Sequence, residues 1–378
     1  MAAGRVAVVH DYMTMLGGAE RVAGRMAAMY SEASLYTSVH DARQAPLAAI
    51  GGRRWQTSFL QPLARVTGPR PLLPLLPAAF QSFDLSGYET IISSTSGFAH
   101  QARKAAGAVH VAFCHTPPRF LWREDDYFAG QGQLRTLVAP ILAALRRKDL
   151  GAASRVDAYV AVSNHIARRI REVYAREAMV VHPPVDCRRF EPGAERSGRF
   201  LVVSRLVRAK RVELVIEAAK RHSIALDVIG EGPDRRRLER LAGPDVRFQG
   251  YVPDAEIARA ISAATAVVVA GREDFGLVTA EAQAAGRPPV AFADSGAADI
   301  VEDGVTGFLF AEPTAEAIGE AMLCARERAL EAADLVASAR RFDVAVFEEN
   351  LRTAVEAAVA SRALSLPTEA MALSGAVG

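Results

Sequence analysis

Residues 266–286 read AVVVAGREDFGLVTAEAQAAG, and their strand–loop–helix pattern is the clearest indication of the fold class. The run Ala266–Ala270 is short, apolar and rich in β-branched residues, which is typical of a buried strand. Gly276 permits a tight entry into the following helix, and Gly286 ends that helix. A strand joined by a loop to a helix is half of a βαβ unit, so the stretch predicts a parallel sheet covered by helices.

The same alternation of strand and helix runs through both halves of the chain. Prolines and lost periodicity at 182–186, followed by a polar segment at 191–198, predict a domain boundary. We therefore expect an α/β chain with two Rossmann-like, doubly wound parallel-sheet domains in residues 1–190 and 191–343. A C-terminal helix and tail, 344–378, is expected to pack back on the first domain. Two such domains facing each other would place a ligand cleft at the carboxyl ends of their strands.

Twelve short β-branched or apolar runs are the predicted strands of these two sheets. They lie near Val6–Val9, Leu35–Val39, Thr90–Ser93, Val109–Cys114, Ala158–Val162, Met179–His182, Arg199–Ser204, Ala225–Ile229, Val246–Phe248, Ala266–Ala270, Pro289–Phe292 and Phe308–Phe310.

The composition excludes several classes of protein. Of 378 residues, 50% are hydrophobic and 23% are charged, which predicts large buried cores rather than disorder. The formal net charge of +2 is too small to imply nucleic-acid binding. The three cysteines form no C-x-x-C pair, so neither a disulfide framework nor a zinc knuckle is expected. No apolar run approaches the roughly 18–20 residues that cross a bilayer, and no export signal is visible, so we expect a cytoplasmic location.

Two glutamates flank the start of the helix that follows the strand Ala266–Ala270. Glu273 lies in the loop before this helix, and Glu281 lies in its second turn. At a rise of about 1.5 Å per residue, the two carboxylates can contact two ends of an elongated ligand. The amides of Gly276 and Leu277 lie between them, at a helix start that favours phosphate. A single glutamate would be a surface acid, but an acidic pair around a Phe-Gly helix entry is uncommon.

A basic loop, residues 204–211, follows the first strand of the second domain. Cations just after the carboxyl end of a strand point into the crevice, where they can neutralise a diphosphate. The candidates are Arg205, at the strand end, and Lys210, at the helix start. The alternative is a solvated basic loop.

A glycine pair, Gly17-Gly18, opens the first helix of the chain. Adjacent glycines let backbone N–H groups approach a ligand, and the helix start behind them favours an anion. An ordinary turn with left-handed glycines is the alternative, and the pair alone does not decide between the two.

These motifs together resemble the retaining glycosyltransferases of family 4, which have the two-Rossmann GT-B fold. The resemblance covers nearly the whole chain. It is carried by the E-x7-E pair Glu273 and Glu281 around Asp274-Phe275-Gly276, by Arg205 with Lys210, by Gly17-Gly18, by Gly230-Glu231-Gly232-Pro233 and by Asp303-Gly304-Val305-Thr306-Gly307-Phe308. In the first half, His10-Asp11-Tyr12, Cys114-His115-Thr116-Pro117-Pro118-Arg119 and Trp122 resemble the bacterial branch that adds mannose during polysaccharide or O-antigen assembly.

The resemblance implies a role for each matching residue. Arg205 and Lys210 would hold the donor diphosphate, Glu281 would bind the ribose, and Glu273 would bind hydroxyls of the transferred sugar. His115 would lie beside that sugar, with a buried core histidine as the alternative. The remaining donor-binding candidates are Gly17, Gly18, Gly230, Val252, Phe275, Gly276 and Leu277, of which Gly230 and Val252 lie in the segments expected at the nucleobase.

One departure from the family pattern lies on the sugar side of the expected site. The glycine pair often found before a late acidic residue is replaced here by Ser295-Gly296-Ala297-Ala298-Asp299.

The implied chemistry is metal-independent transfer with retention of the anomeric configuration. Departure of a nucleoside diphosphate builds negative charge that cations and helix amides stabilise most in the transition state. The sequence contains no D-x-D triplet, and Glu124-Asp125-Asp126 is interpreted as a solvated acidic turn rather than a Mg²⁺ site. No cofactor is expected beyond the nucleotide-sugar co-substrate.

GDP-mannose is the expected donor and a polyprenyl-linked saccharide the expected acceptor. The apolar, proline-interrupted segment Pro69–Phe80 follows several arginines and could lie on an anionic membrane surface at the inner face of the membrane. A buried loop is the alternative. Two other functions stay open: the same fold with a UDP-sugar such as UDP-glucose, and a non-catalytic sugar-nucleotide-binding protein. A GT-B epimerase is less favoured.

Overall fold

The computed structural model of the chain describes residues 5–68, 70–123, 132–192 and 195–365. The chain divides into two compact units. The first contains Met1–Val162, Ile166–Val181 and Glu348–Gly378, and the second contains Ser163–His165 and His182–Phe347.

A seven-stranded, wholly parallel sheet forms the centre of the first unit, in the order β3-β2-β1-β4-β5-β6-β7. Its strands are β1 (Val6–His10), β2 (Ser34–Thr37), β3 (Gln56–Thr57), β4 (Thr90–Thr95), β5 (Val109–Cys114), β6 (Ala158–Ala161) and β7 (Ala178–Val180). The central strands β4 and β5 are buried along their whole length, as apolar strands covered on both faces should be.

Several helices pack on this first sheet, and one buried apolar cluster contains Phe80 and Leu142 from two of them together with Phe98 from a loop. The α-helices in this part of the chain are α1 (Gly18–Met29), α2 (Gln61–Thr67), α3 (Leu76–Gln81), α4 (Arg119–Trp122), α5 (Gly132–Ala153) and α6 (Asn164–Tyr174). The short 3-10 helices are Leu47–Ile50, Arg70–Leu75 and Ala99–Gln101.

The second unit is built on a six-stranded parallel sheet in the order β10-β9-β8-β11-β12-β13. Its strands are β8 (Phe200–Val203), β9 (Leu226–Ile229), β10 (Val246–Gly250), β11 (Val267–Val269), β12 (Pro289–Phe292) and β13 (Phe308–Phe310). Its α-helices are α7 (Val212–Arg221), α8 (Arg235–Leu241), α9 (Asp254–Ala263), α10 (Leu277–Ala284), α11 (Ala315–Glu327) and α12 (Ala332–Ala339), followed by α13 (Val344–Ser365). The 3-10 helices are Cys187–Arg189, Arg208–Lys210, Gly296–Asp299 and Arg340–Phe342.

The expected doubly wound architecture is therefore confirmed, with differences at particular elements. Strand β3 was not predicted, because a two-residue edge strand of glutamine and threonine carries no apolar pattern. The second unit starts at His182 rather than at 191 and includes Ser163–His165. Helix α13 belongs to the first unit from Glu348 onward, where Arg25 forms an ion pair with Glu348.

Within the described residues, no helix is both long enough and apolar enough to cross a bilayer.

Candidate functional site

The strand order of the second sheet reverses between β8 and β11. In doubly wound sheets, ligands bind at this switch point, beyond the carboxyl ends of the strands. The loops that follow β8 and β11 touch each other here. A Cβ atom on Gly271 would lie 3.1 Å from the Ala209 carbonyl oxygen and 3.2 Å from Lys210 Cα. A side chain at position 271 would therefore crowd both loops, and glycine lets the basic loop and the acidic loop approach this closely without displacement.

Lys210 and Glu273 form an ion pair across these two loops. Lys210 Nζ lies 2.6 Å from Glu273 Oε1 and 2.8 Å from Oε2. Their side chains are 22% and 19% exposed, so the pair is partly screened from water. The sequence assigned these residues to the diphosphate and the sugar separately. In the structure the carboxylate of Glu273 neutralises the charge of Lys210. A ligand that binds to both residues must therefore break this ion pair.

Arg205 lies two residues beyond the end of β8 and is exposed. Its side chain has no ion pair with any described residue. An exposed guanidinium next to the switch point is available to a phosphate oxygen, to which it can donate two parallel hydrogen bonds.

The helix α10 starts directly after the Glu273 loop. Gly276 adopts a left-handed backbone conformation, with φ 101°, which turns the chain into the helix. In the first turn the amides of Leu277 and Val278 have no carbonyl partner within the helix and add partial positive charge, whereas the Thr279 amide donates to the Gly276 carbonyl oxygen at 2.9 Å. The cation of one loop, the carboxylate of the other loop and the start of α10 thus meet at the switch point of the second sheet.

The altered segment Ser295–Asp299 supports the Glu273 loop from behind. The Gly296 amide donates a hydrogen bond of 2.8 Å to the Glu273 carbonyl oxygen. A Cβ atom on Gly296 would lie 2.4 Å from the Asp274 carbonyl oxygen, so only glycine fits. This one glycine of the segment therefore fixes the backbone that carries Glu273.

Asp299, in the same segment, forms hydrogen bonds with residues of its own unit. Its carboxylate accepts a 2.6 Å hydrogen bond from the Asn164 amide and lies 3.1 Å from His182 Nε2. Burial raises the pKa of this carboxyl, but the bonds from His182 and Asn164 outweigh burial and lower it. Asp299 is thus held as a carboxylate by its own chain.

Glu281 lies in the second turn of α10, as predicted, and is partly exposed. Arg189 Nη1 lies 3.8 Å from Glu281 Oε1. Sequence reasoning missed Arg189, because it lies in the connecting segment, where no spacing relates it to a residue of α10.

The Phe275 side chain is 4% exposed and packs against His182 and Phe342, with ring centroids 5.4 and 5.3 Å away. Any contact from Phe275 to a ligand must therefore come from its backbone. The ring anchors the loop that holds Glu273.

Gly230 follows β9 and has φ 134°. A Cβ atom there would lie 1.9 Å from the Ser204 carbonyl oxygen, so this loop packs backbone to backbone on the basic loop. Val252, beyond β10, is half-buried beside Tyr251, which is 79% exposed.

The first sheet has its own switch point, between β1 and β4. His115 follows β5 and is 9% exposed. Ser94 Oγ lies 2.8 Å from His115 Nε2 and 3.0 Å from His10 Nδ1. Burial and the nearby His10 lower the pKa of His115 to about 3, so its ring is neutral near pH 7.

Asp11, directly after β1, binds the loop after β4. Its carboxylate accepts hydrogen bonds from the amides of Ser96, Gly97, Phe98 and Ala99, at 2.5 to 2.8 Å. Four such bonds stabilise a buried charge without a cation.

Neither Gly17 nor Gly18 has a positive φ. The Gly17 amide donates a 2.9 Å hydrogen bond to Glu20 Oε2, and Glu20 is 5% exposed. This carboxylate occupies the anion position that the sequence assigned to a ligand at the Gly17 amide. The left-handed turn considered as the alternative is absent at these two glycines as well.

In the part of the chain that the structure describes, no group of three or more His, Cys, Asp or Glu side chains has the geometry of a metal site. The acidic turn Glu124-Asp125-Asp126 lies outside the described residues.

Two known families match consecutive segments of the chain. Residues 16–189 match the family described as "Glycosyltransferase Family 4", and residues 187–342 match "Glycosyl transferases group 1". With two parallel sheets of Rossmann topology, the fold is that of the GT-B class. Together the two matches span residues 16–342 of the chain.

Individual relatives match shorter segments. The D-inositol 3-phosphate glycosyltransferase of Frankia alni is 37% identical over 167 residues, which are 35% of this chain and 40% of that relative. The GDP-mannose-dependent alpha-mannosyltransferase of Corynebacterium glutamicum is 31% identical over 138 residues, 33% of each protein. The chain therefore matches 40% or less of the length of these two curated relatives.

Among solved structures, the Anabaena protein HepE in complex with UDP and glucose superimposes with a TM-score of 0.71 and 19% identity. The superposition covers 93% of this chain and 99% of HepE. At this identity the similarity shows the shared fold.

Proposed function

We propose that the chain is a retaining, metal-independent glycosyltransferase that takes its sugar from a nucleotide sugar. The observation that carries this proposal is the arrangement at the switch point of the second sheet. Arg205, the Lys210–Glu273 pair and the start of helix α10 lie on the loops that follow two neighbouring strands, β8 and β11, and Glu281 lies in the second turn of α10. Cations and helix amides match a diphosphate, whereas carboxylates match the hydroxyls of a ribose and a sugar.

The proposed reaction breaks the bond between the anomeric carbon and the diphosphate oxygen and forms a bond from that carbon to an acceptor oxygen. Negative charge grows on the leaving diphosphate, where Arg205, Lys210 and the α10 amides stabilise it. The proton of the acceptor hydroxyl passes to the leaving phosphate, on the face where the new bond forms, so the configuration is retained. His115 is the proposed contribution of the first unit, beside the transferred sugar.

GDP-mannose is the proposed donor, and the match to a GDP-mannose-dependent relative supports it. A UDP-sugar is the second candidate, because HepE has the same fold and is seen with UDP and glucose. Gly230, in the segment expected at the nucleobase, packs on the basic loop through its backbone. Backbone groups are the same for every residue type, so the sequence of this segment does not distinguish guanine from uracil.

The direct test is incubation with a panel of GDP- and UDP-sugars and a lipid-linked saccharide, with release of the nucleoside diphosphate as the readout. Release of GDP from GDP-mannose is the expected result. Release from a UDP-sugar alone would assign the second candidate. Binding without release would favour a non-catalytic binder, and a change of sugar configuration without transfer would favour an epimerase.

A polyprenyl-linked saccharide is the proposed acceptor, reached at an anionic membrane surface. In the predicted segment Pro69–Phe80, Leu72, Leu76 and Phe80 are buried and only Leu75 is a large exposed apolar side chain among the described residues, so most of the segment follows the buried alternative. The exposed apolar side chains lie before it instead, around helix α2, with Phe59, Leu63 and Val66 at 58%, 44% and 86%, beside exposed Arg65. An apolar surface with adjacent arginine supports attachment to anionic lipid.

Sedimentation with liposomes tests this attachment. We expect binding that requires anionic lipid and weakens with salt. A Val66→Ser change should reduce it, whereas Val305→Ser, at an exposed valine of the second unit, should not. Binding that ignores lipid charge would contradict the proposal.

A further inference from the structure

Three buried side chains form a hydrogen-bonded row at the switch point of the first sheet. His10 ends β1, Ser94 lies in β4, and His115 follows β5. These strands are neighbours, so the sheet itself sets the spacing of the row. The three residues are 1%, 0% and 9% exposed, respectively, so only His115 has an edge that a bound molecule can reach.

A single hydroxyl proton serves both imidazole rings. Ser94 Oγ lies 3.0 Å from His10 Nδ1 and 2.8 Å from His115 Nε2. A serine hydroxyl donates one hydrogen bond, so it must accept its second bond from an N–H. When both rings are neutral, one of the two nitrogens that face Ser94, His10 Nδ1 or His115 Nε2, therefore carries a proton and the other is unprotonated.

The surroundings of His10 Nε2 indicate which way the hydrogen bonds of the row are donated. His10 Nε2 is buried and has no hydrogen-bond partner among the described residues. A proton on this atom would be a buried donor without an acceptor, which native structures rarely tolerate. The row avoids such a donor when His10 carries its proton on Nδ1 and donates it to Ser94.

We propose that His10 and Ser94 are positioning residues that fix His115 in the tautomer with its proton on Nδ1. Ser94 then donates to His115 Nε2, and no described residue forms a hydrogen bond with His115 Nδ1. The Nδ1–H group is left to donate to an oxygen of a bound molecule, such as a sugar hydroxyl. The catalytic use of this donor rests on the proposed function, but the tautomer does not.

A second serine on the same strand supplies a matched control. Ser93 Oγ lies 2.8 Å from His110 Nε2, and both residues are buried. Because the side chains of neighbouring strand residues point to opposite faces, Ser93 serves the other side of the sheet. Removing either hydroxyl deletes the same group from the same buried strand.

Nitrogen NMR of the full chain with isotope-labelled histidine rings reads the tautomers directly, and the His10→Gln and His115→Gln variants assign the signals. In the wild-type chain we expect a protonated, pyrrole-type Nδ1 and a bare, pyridine-type Nε2 for both His10 and His115. A pyrrole-type Nε2 on His115 would overturn the proposal, and this measurement needs no variant that alters Ser94.

The Ser94→Ala variant should convert the His115 signals to a mixture of tautomers. It should also lower kcat about tenfold, the loss expected from one mispositioned hydrogen bond, with little change in the KM for the donor. Ser94→Thr, which restores a hydroxyl, should recover both readouts. Ser93→Ala should alter only the His110 signals. An unchanged His115 tautomer in Ser94→Ala would contradict the proposal.

Failure of this inference is distinguishable from failure of the proposed function. A wild-type chain that shows the expected tautomers but releases no nucleoside diphosphate would refute the transferase proposal alone. Turnover by the wild type together with unaltered His115 signals in Ser94→Ala would refute the positioning role alone.

Discussion

The two sheets have the same doubly wound topology but present different chemistry at their switch points. The first presents His10, Ser94 and His115, which are buried and hydrogen bonded to one another. The second presents Lys210 and Glu273, a charged and partly exposed pair, near exposed Arg205. In both sheets the strand order determines which loops, and therefore which side chains, come together at the switch point. At a buried switch point the histidine rings are favoured in the neutral form, and a charge such as that of Asp11 needs dense hydrogen bonding from the backbone.

The largest expected effect comes from removing the carboxylate of the second switch point. Glu273→Ala should lower kcat by about 100- to 1000-fold if Glu273 binds the transferred sugar as proposed, because contacts near the reacting carbon strengthen as charge develops there. Steady-state kinetics with the active donor measures this loss. Glu217→Ala, in an exposed ion pair with Arg221, is the control and should be silent. A loss below tenfold would remove Glu273 from the reaction.

Arg205→Ala should lower kcat/KM by an amount equivalent to about 1.5–3 kcal/mol, because one charged hydrogen bond to the leaving diphosphate is lost. Arg208→Ala removes an exposed arginine from the same loop and serves as the matched control. Equal kcat/KM values for the two variants would mean that the loop contributes only general positive charge.

A substitution at the first switch point should lower the free energy of unfolding. Asp11→Asn keeps the shape of the side chain but replaces a carboxylate that accepts four amide hydrogen bonds. The free energy of unfolding should fall by about 2 kcal/mol, measured by chemical denaturation. Asp41→Asn, at an exposed aspartate, is the control. A loss no larger than that of the control would show that the loop after β4 does not depend on this charge.

The smallest expected effect concerns pH. Burial lowers the pKa of His110 to about 3, against an ordinary value of 6.5. Between these values the unfolded chain binds a proton that the folded chain excludes, so stability falls as the pH drops below 6.5. By pH 5.5 this costs about 1.4 kcal/mol relative to pH 7.5. The His110→Gln variant should show a correspondingly flatter dependence, and an equal slope in both proteins would contradict the buried neutral state.

The sequence pointed to candidate residues at the charged switch point more directly than to those at the neutral one. Glu273 and Glu281 have a fixed spacing in sequence from the helix start at Gly276. Arg205 and Lys210 lie in the loop that directly follows a strand. Charged residues in such positions can be recognised from the sequence alone. The contact between Lys210 and Glu273 was not predicted, because it depends on the close approach of two loops at Gly271.

The neutral site left weaker marks in the sequence. Ser93-Ser94-Thr95 resembles any strand end, and only the pairing of β1, β4 and β5 shows which histidines each hydroxyl meets. Gly17-Gly18 was interpreted as open to an anion, since the reach of the Glu20 side chain back to the Gly17 amide is a three-dimensional feature.

The measurement that tests the account most directly is calorimetry of free GDP and UDP binding to the wild type, Glu281→Ala and Glu273→Ala. The account predicts that Glu281→Ala weakens binding about tenfold, because a ribose contact is lost. It predicts that Glu273→Ala binds free nucleotide as well as the wild type or better, because Lys210 is released from its ion pair. Abolished binding in Glu273→Ala with intact binding in Glu281→Ala would reverse the proposed donor orientation and contradict the account.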